Sequence, residues 1–349
     1  MEPTRTAHHT SSEKPPGPKS PLSTLTVVAY LVQRGLLAGD GESPVTISPL
    51  GGGVSSVVLL VEAGQKRIVV KQPRTRLQVE KEWYANPDRV LSEAKALQLV
   101  RRSTPQAVPA LLDIDRRALA ITMTAAPAGW RTWKDLLLEG VVDAAVGRQL
   151  GALLATWHVA SSDWTGLEDV EVFEQLRIDP FHRTVAVRYP DLAKQIGLAI
   201  EALLGDSSRR CFVHGDFSPK NVLVGDDSLW IIDFEVAHAG NPLFDLAFLV
   251  THLLLKSLHR PSGAAAYRLC AIEFLKSYEE VAGRGFAPAD ESLGLQVGCL
   301  LLARVDGKSP AEYLTKPEQN AARRLGASLV GKPKNPLTIW PSLDPWCSR

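Results

Sequence analysis

Residues 214–235 constrain the fold of this 349-residue chain more than any other stretch, because they encode a short hairpin with polar oxygen-bearing residues at its open end. Val222-Leu223-Val224 and Trp230-Ile231-Ile232 are β-prone triplets, and the intervening Gly225-Asp226-Asp227-Ser228-Leu229 begins with four turn formers. The triplets are expected to fold back as an antiparallel pair. Pairing centred on Asp227 sets Val224 opposite Trp230, Val222 opposite Ile232 and Asn221 opposite Asp233. Asp216 precedes Asn221 by five residues, in a loop where Gly215 and Pro219 exclude regular helix or strand, so it can curl back over the same point. A carboxylate with an amide oxygen suits Mg2+, which takes oxygen ligands and leaves its remaining positions to water and phosphate. A second carboxylate beside them can orient a hydroxyl nucleophile. The competing explanation, that all three are turn residues and caps, is disfavoured by three ordered matches around one hairpin.

D-x-x-x-x-N followed by Asp after a hairpin is the catalytic arrangement of protein-kinase-like enzymes. The surrounding residues differ from protein kinases. Gly215 stands where those carry an Arg, Glu235 replaces the glycine of D-F-G, and Gly240-Asn241-Pro242-Leu243-Phe244-Asp245-Leu246-Ala247 follows almost at once, without A-P-E. With H-G-D-x-x-x-x-N at 214–221, I-D-F at 232–234 and G-x-P-x-x-D-L-A at 240–247, the chain resembles the aminoglycoside phosphotransferase and choline kinase superfamily. The resemblance spans roughly Thr46 to Ala247. It implies an α+β, protein-kinase-like two-lobed fold, with a small antiparallel β-sheet lobe and a larger, mainly helical one. It also implies ATP and Mg2+ as cofactors and phosphorylation of a hydroxyl on a small molecule: a sugar, an aminoalcohol or an aminoglycoside-like acceptor. Asp216 would orient and deprotonate the acceptor, Asn221 and Asp233 would hold the metal, and Glu235 would assist, as the Glu of D-F-E does in choline kinases. Asp245 would cap its helix or hold the backbone of the catalytic loop.

The first half of the chain supplies a complementary set. A helix over Ser23 to Arg34 precedes the strand-like Val45-Thr46-Ile47, and Pro49-Leu50-Gly51-Gly52-Gly53-Val54-Ser55-Ser56 then leads into a strand over Val57 to Glu62. A turn at Ala63-Gly64-Gln65-Lys66 returns the chain through Arg67-Ile68-Val69-Val70-Lys71. Glycines joining two strands exclude a Walker loop. In the kinase frame Gly51, Gly52, Gly53 and Ser55 form the lid of a nucleotide cleft. Lys71 ends an apolar run and needs a partner if it points inward. Glu93 is the candidate, on the edge of the helical stripe Val90, Ala94, Leu97 and Val100, with Glu80 or Glu82 as the alternative. The pair would steady the nucleotide phosphates as in related kinases. Met123, in the strand over Leu119 to Thr124, is expected near adenine or in the core. V-K-Q at 70–72, Val79-Glu80 with Trp83, and Asp88-Arg89 before Glu93 and Leu97 further resemble methylthioribose kinases. Those kinases carry Ser where this chain has Asn221 and His where it has Ser218, so their substrate is not carried over.

Charge bears on partners. Lys and Arg total 39 against 38 Asp and Glu, so no strong field recruits nucleic acid or an anionic membrane, and small partners fit better. Cys211, Cys270, Cys299 and Cys347 are scattered without ligand-like spacing, which suits a reducing cytoplasm. Residues 1–21 are expected to form a disordered leader, 22–125 the smaller lobe, 126–330 the larger one and 331–349 a tail that is extended or mobile. The apolar segment Phe244 to Leu255 is too short to span a bilayer and reads as a buried helix. His158 and His214 read as packed scaffold residues. Acceptor contacts are sought among Arg177, Asp179, Arg183, Arg304, Asp306, Lys308 and Tyr313, a set rich in arginine that leans toward a polyol, sugar or partly anionic molecule. The alternative of another class is a catalytically inactive nucleotide-binding module that works through a protein partner. The chain keeps both the base and the metal Asp, which such modules usually forfeit.

Overall fold

Alternation along one strand decides which way Lys71 points. The computed structural model describes residues 21–38, 44–51, 55–74, 85–161, 164–205, 210–225 and 227–343. After helix α1 (Val27–Gln33) come strands β1 (Val45–Pro49), β2 (Ser56–Ala63) and β3 (Lys66–Pro73), helix α2 (Arg89–Ser103), and strands β4 (Leu111–Asp115) and β5 (Ala120–Thr124). The strands form one antiparallel sheet in the order β1-β2-β3-β5-β4. Ile68 and Val70 of β3 join Leu59 and Val61 of β2 under α1, where Val27 and Leu31 close a small core. Side chains alternate faces along a strand, so Val69 and Lys71 point the other way, toward α2. Pairing carries this across the sheet, with Val69 opposite Met123 and Lys71 opposite Ile121. The tight turn between β2 and β3 uses Gly64 at φ 56°. Strand β4 escapes the sequence reading because its two aspartates lower strand propensity. On the sheet edge they are useful: Asp113 accepts two hydrogen bonds from Arg34, next to α1.

The rest is mainly helical. Strand β6 (Arg131–Thr132) leads into α3 (Trp133–Glu139) and α4 (Ala144–Ala160). Then α5 (Glu171–Phe173), a π-helical stretch at Glu174–Arg183 and α6 (Thr184–Arg188) run on continuously, followed by α7 (Ala193–Leu204). Pro180 lies inside the π-helical stretch and removes one backbone N–H from it. Short strands β7 (Cys211–Val213), β8 (Val222–Gly225), β9 (Ser228–Ile231) and β10 (His238–Gly240) carry the residues between, and α8 (Leu243–His259), α9 (Ala264–Ala282), α10 (Asp290–Asp306) and α11 (Lys316–Gly331) complete the layer. Every residue of α8 before His259 is buried, as its all-round apolar pattern anticipates. Helices α4 and α9 approach closely: a Cβ at Gly151 would lie 2.2 Å from the carbonyl oxygen of Phe274. After α11 the chain forms a 3-10 helix (Pro336–Leu343) whose Ile339 and Trp340 are buried in the main core. Among the described residues no helix is long and apolar enough to cross a membrane.

Candidate active site

The hairpin forms, one residue out of the expected register. Val222 pairs with Ile231, Leu223 with Trp230, Val224 with Leu229 and Gly225 with Ser228. The turn is therefore shorter than pairing about Asp227 assumed, and Asp227 takes the left-handed conformation at φ 59°. The Ile232 amide donates to the Asn221 carbonyl at 3.0 Å, so Asp233 lies just beyond the ladder instead of opposite Asn221. Its own left-handed backbone, φ 69°, turns the chain out of the strand. For a residue with a Cβ that conformation is costly, and such strain collects at functional sites.

Asp233 meets the smaller lobe through Lys71. Lys71 Nζ lies 2.5 Å from Asp233 Oδ1, 2.8 Å from Glu93 Oε2 and 3.7 Å from Glu235 Oε2. Glu93 is buried on α2, on the face toward the sheet. Glu235 is held in turn by Arg89 Nε at 3.2 Å and by the Ser56 hydroxyl at 3.3 Å. Burial disfavours the Lys71 ammonium, yet Asp233, Glu93 and Glu235 outweigh it and hold its pKa above the ordinary lysine value. Burial also disfavours the Asp233 carboxylate, and Lys71 and Lys220 more than reverse that, holding it ionised well below the usual range. Burial, with Asp233 and Glu235 nearby, pushes Glu93 up to about 7 despite Lys71. Three carboxylates thus face two cations, Lys71 and Arg89, in a site where Glu93 and Glu235 are buried and Asp233 is partly exposed. Carboxylate oxygens of Glu93, Asp233 and Glu235 lie within 4.8 Å of one another, a grouping able to hold a metal ion. The donor set is all oxygen and carries surplus negative charge, which fits a hard divalent cation.

Asp216 is built by its own loop. Gly215 adopts φ 73°, and a Cβ there would lie 2.7 Å from the Val236 carbonyl oxygen, so only glycine fits. The buried carboxylate of Asp245, in the first turn of α8, accepts from the His214 and Gly215 amides at 2.6 and 2.9 Å. It holds the backbone of the loop that carries Asp216, one of the two roles the sequence allowed. His214 Nδ1 accepts from the Asp216 amide at 3.2 Å, and its ring packs on Phe234. Burial lowers the His214 pKa despite the aspartates around it, which suits a neutral scaffold. Asn221 Nδ2 donates to the Asp216 carbonyl at 2.9 Å, leaving the amide oxygen for a ligand. The Asp216 carboxylate takes Lys220 Nζ at 2.8 Å and Arg177 Nη2 at 3.0 Å. Burial disfavours its charged form, but these two cations outweigh burial and lower its pKa.

The structure therefore brings Lys71, Glu93, Asp233 and Glu235 into one cluster and sets Asp216 and Asn221 beside it on the same loop. Met123 is buried on β5, on the sheet face shared with Lys71. Gly51 is exposed at the start of the glycine turn, and the Ser55 carbonyl at its end accepts from Arg89 at 2.5 Å and from the Arg74 amide at 2.7 Å. Gly52 and Gly53, with Val79, Glu80, Glu82 and Trp83, lie outside the described residues. Sequence reasoning assigned no role to Arg89 or Lys220. Arg89 sits four residues before Glu93 on one helix face, a spacing that marks a shared environment, but its partner Glu235 is 146 residues away. Among the acceptor candidates, Asp179 and Arg183 pair with each other at the surface and Asp306 is tied to Arg323 and Tyr189, while Arg177 reaches Asp216.

Known proteins share the fold described above. The profile of the phosphotransferase enzyme family matches residues 46–268. The chain is 24% identical over 286 residues to methylthioribose kinase of Bacillus cereus (strain AH187), covering 74% of this chain and 72% of that one. A choline/ethanolamine kinase family protein from Mesorhizobium loti superposes with a TM-score of 0.56 at 17% identity, over 91% of this chain and 98% of that one. Amicoumacin kinase, solved with AMP-PNP, Ca2+ and Ami, superposes with a TM-score of 0.54 at 15% identity, over 89% and 97%.

Proposed function

Because the chain belongs to the phosphotransferase enzyme family, we propose that it transfers the γ-phosphoryl group of ATP to a hydroxyl of a small molecule, with a divalent cation, Mg2+, held by Asp233, Asn221 and Glu235. The observation that carries this reading is the meeting of Lys71 and Glu93 from the sheet lobe with Asp233 from the helical lobe, beside an ionised Asp216. The bound nucleotide and divalent ion of amicoumacin kinase support it by analogy of fold. When bound, the cation neutralises charge on the phosphate oxygens. Lys71 adds a fixed positive charge on the same side, held in place by Glu93. Arg89 ties Glu235 to the carbonyls of Ser55 and Arg74, linking the end of the glycine-rich segment to the side of the site assigned to the metal.

Asp216 acts on the acceptor. A carboxylate whose pKa is lowered by Arg177 and Lys220 is a weak base, so its first role is to accept a hydrogen bond from the hydroxyl and aim the oxygen at phosphorus. The acceptor oxygen forms its bond to the γ-phosphorus as the bond from that phosphorus to the β–γ bridging oxygen breaks. The hydroxyl proton passes to Asp216 late in transfer and then to solvent, leaving ADP and a phosphate monoester. Lys220, in contact with Asp216 and within electrostatic reach of Asp233, lends positive charge to both carboxylates.

The direct test is phosphate transfer from ATP with Mg2+ to a panel of sugars, sugar acids, aminoalcohols and aminoglycosides, followed by 31P NMR. A phosphate monoester forming from one class of acceptor is the expected result. Nucleotide binding without transfer to any hydroxyl compound would favour an inactive binding module instead. Lys71→Ala is expected to lower kcat/KM by about 100-fold to 1,000-fold, the scale of one lost transition-state charge contact. A loss smaller than about fivefold would take Lys71 out of the site.

A further inference from the structure

Beyond Asp216 the site changes sign, and the inference drawn from this rests on the kinase reading above. Arg177 places its guanidinium 5.8 Å from the ring centre of Phe181 and 5.9 Å from that of Phe248, and Arg304 of α10 also lies over Phe181 at 6.0 Å. Phe248, His252 and Lys256 follow at four-residue spacing on α8, so one face of that helix carries all three. Phe248 and His252 meet edge to face at 4.8 Å, and Lys256 Nζ lies 5.3 Å from the ring centre of Tyr313. A run of contacts and neighbouring helical turns thus leads from Asp216 through Arg177 and Phe248 to Lys256.

The carboxylates here are already taken. Arg177 and Lys220 share Asp216, and Lys134 pairs with Glu312 at 2.8 Å. Lys256 is 1% exposed and makes no hydrogen bond or ion pair among the described residues. Arg304 gives one amino group to Ser309, while its Nε is buried and unpaired, as is the Tyr313 hydroxyl. Burial, with Lys134 and Arg304 nearby, pulls Lys256 down to about 7, although the Glu312 carboxylate opposes the shift. The charge of Asp216 in turn reaches Arg304. A buried ammonium without an ion-pair partner weakens a fold, so keeping one in a helix buried almost throughout calls for a ligand that completes it.

We propose that the acceptor is an anionic hydroxyl compound whose carboxylate or phosphate is bound by Lys256, Arg304 and Tyr313 while its hydroxyl meets Asp216. A neutral acceptor would leave Lys256 and Arg304 uncompensated, and a cationic one would add to the like charge.

Binding and transfer are measured separately on the full chain. Isothermal titration calorimetry on protein saturated with Mg2+ and AMP-PNP compares glycerol with glycerate and glycerol 3-phosphate, ribitol with ribonate and ribitol 5-phosphate, and choline as the cation. Comparing carboxylate with phosphate members identifies which anion the site takes. The anionic member of a set is expected to bind at least about tenfold tighter than its neutral partner. Lys256→Met should weaken that anion by about 30-fold or more. The same change should leave AMP-PNP affinity unaltered and raise the melting temperature, because Met fills a similar volume without a buried charge. Tyr313→Phe, which deletes only the unpaired hydroxyl, should weaken the anion without altering the fold. Neutral or cationic compounds binding as tightly as the anions, no anion binding at millimolar concentration, or a folded Lys256→Met that keeps the preference would each overturn the inference. Each of these leaves the phosphotransferase reading to be judged by 31P NMR. Anions that bind and are never phosphorylated would count against that reading while sustaining the anion site.

Discussion

Asp216→Asn is expected to lower kcat by about 10³-fold while leaving the affinity for Mg-ATP nearly unchanged. The substitution is isosteric, and its amide oxygen still accepts from Arg177 and Lys220, which contact the carboxylate at 3.0 and 2.8 Å. What disappears is the negative charge and the capacity to take the hydroxyl proton. Stopped transfer with intact nucleotide binding, read by single-turnover kinetics and calorimetry, is therefore the signature. Full activity in the variant would show that another group orients the acceptor. The wild-type pH profile offers a second view. Burial works against the Asp216 carboxylate and the two cations outweigh it, so the acid limb of kcat/KM should fall below the ordinary carboxylate range. Replacing Lys220 by Met removes one of those cations, and the acid limb should then move upward.

Asp233→Ala is expected to take Mg-ATP-dependent turnover below about a thousandth of wild type, the largest loss of any single change here. Asp233 serves both lobes: it pairs with Lys71 and belongs to the group of carboxylates able to hold a cation. Removing it deletes the proposed metal ligand and takes away the carboxylate 2.5 Å from Lys71. The fold should survive, because Glu93 still compensates the ammonium at 2.8 Å. Divalent-ion titration of nucleotide binding, with circular dichroism to report the fold, separates these effects. A variant that keeps metal-dependent turnover would place the cation elsewhere.

Much of this site was legible because it is written in local chemistry. A turn-rich segment between β-prone triplets calls for a hairpin, and a glycine before Asp216 permits the left-handed backbone that the loop needs. The single-residue error in register came from assuming a wider turn than Asp227 and its neighbours form. Because Asp233 stands at the end of that ladder, the error moved its position without removing it from the site. Lys71 was recognisable as the end of an apolar run after the glycine-rich segment, and Glu93 from the helical stripe on α2. Arg89 and Lys256 were not, since a basic residue in a helix looks the same in sequence whether it faces water or a closed site.

The chain alone determined which backbone segments turn and pair, and hence that Asp216, Asn221 and Asp233 would share one neighbourhood, because those preferences act over a few residues. Tertiary structure decided which charges lose their water and whom they meet. Lys71 finds Asp233 across 162 positions, Arg89 finds Glu235 across 146, and Lys256 forms no ion pair with a carboxylate among the described residues. Desolvation depends on everything packed around a side chain, which is why one end of the site carries surplus negative charge and the other surplus positive, a division that no local pattern announces.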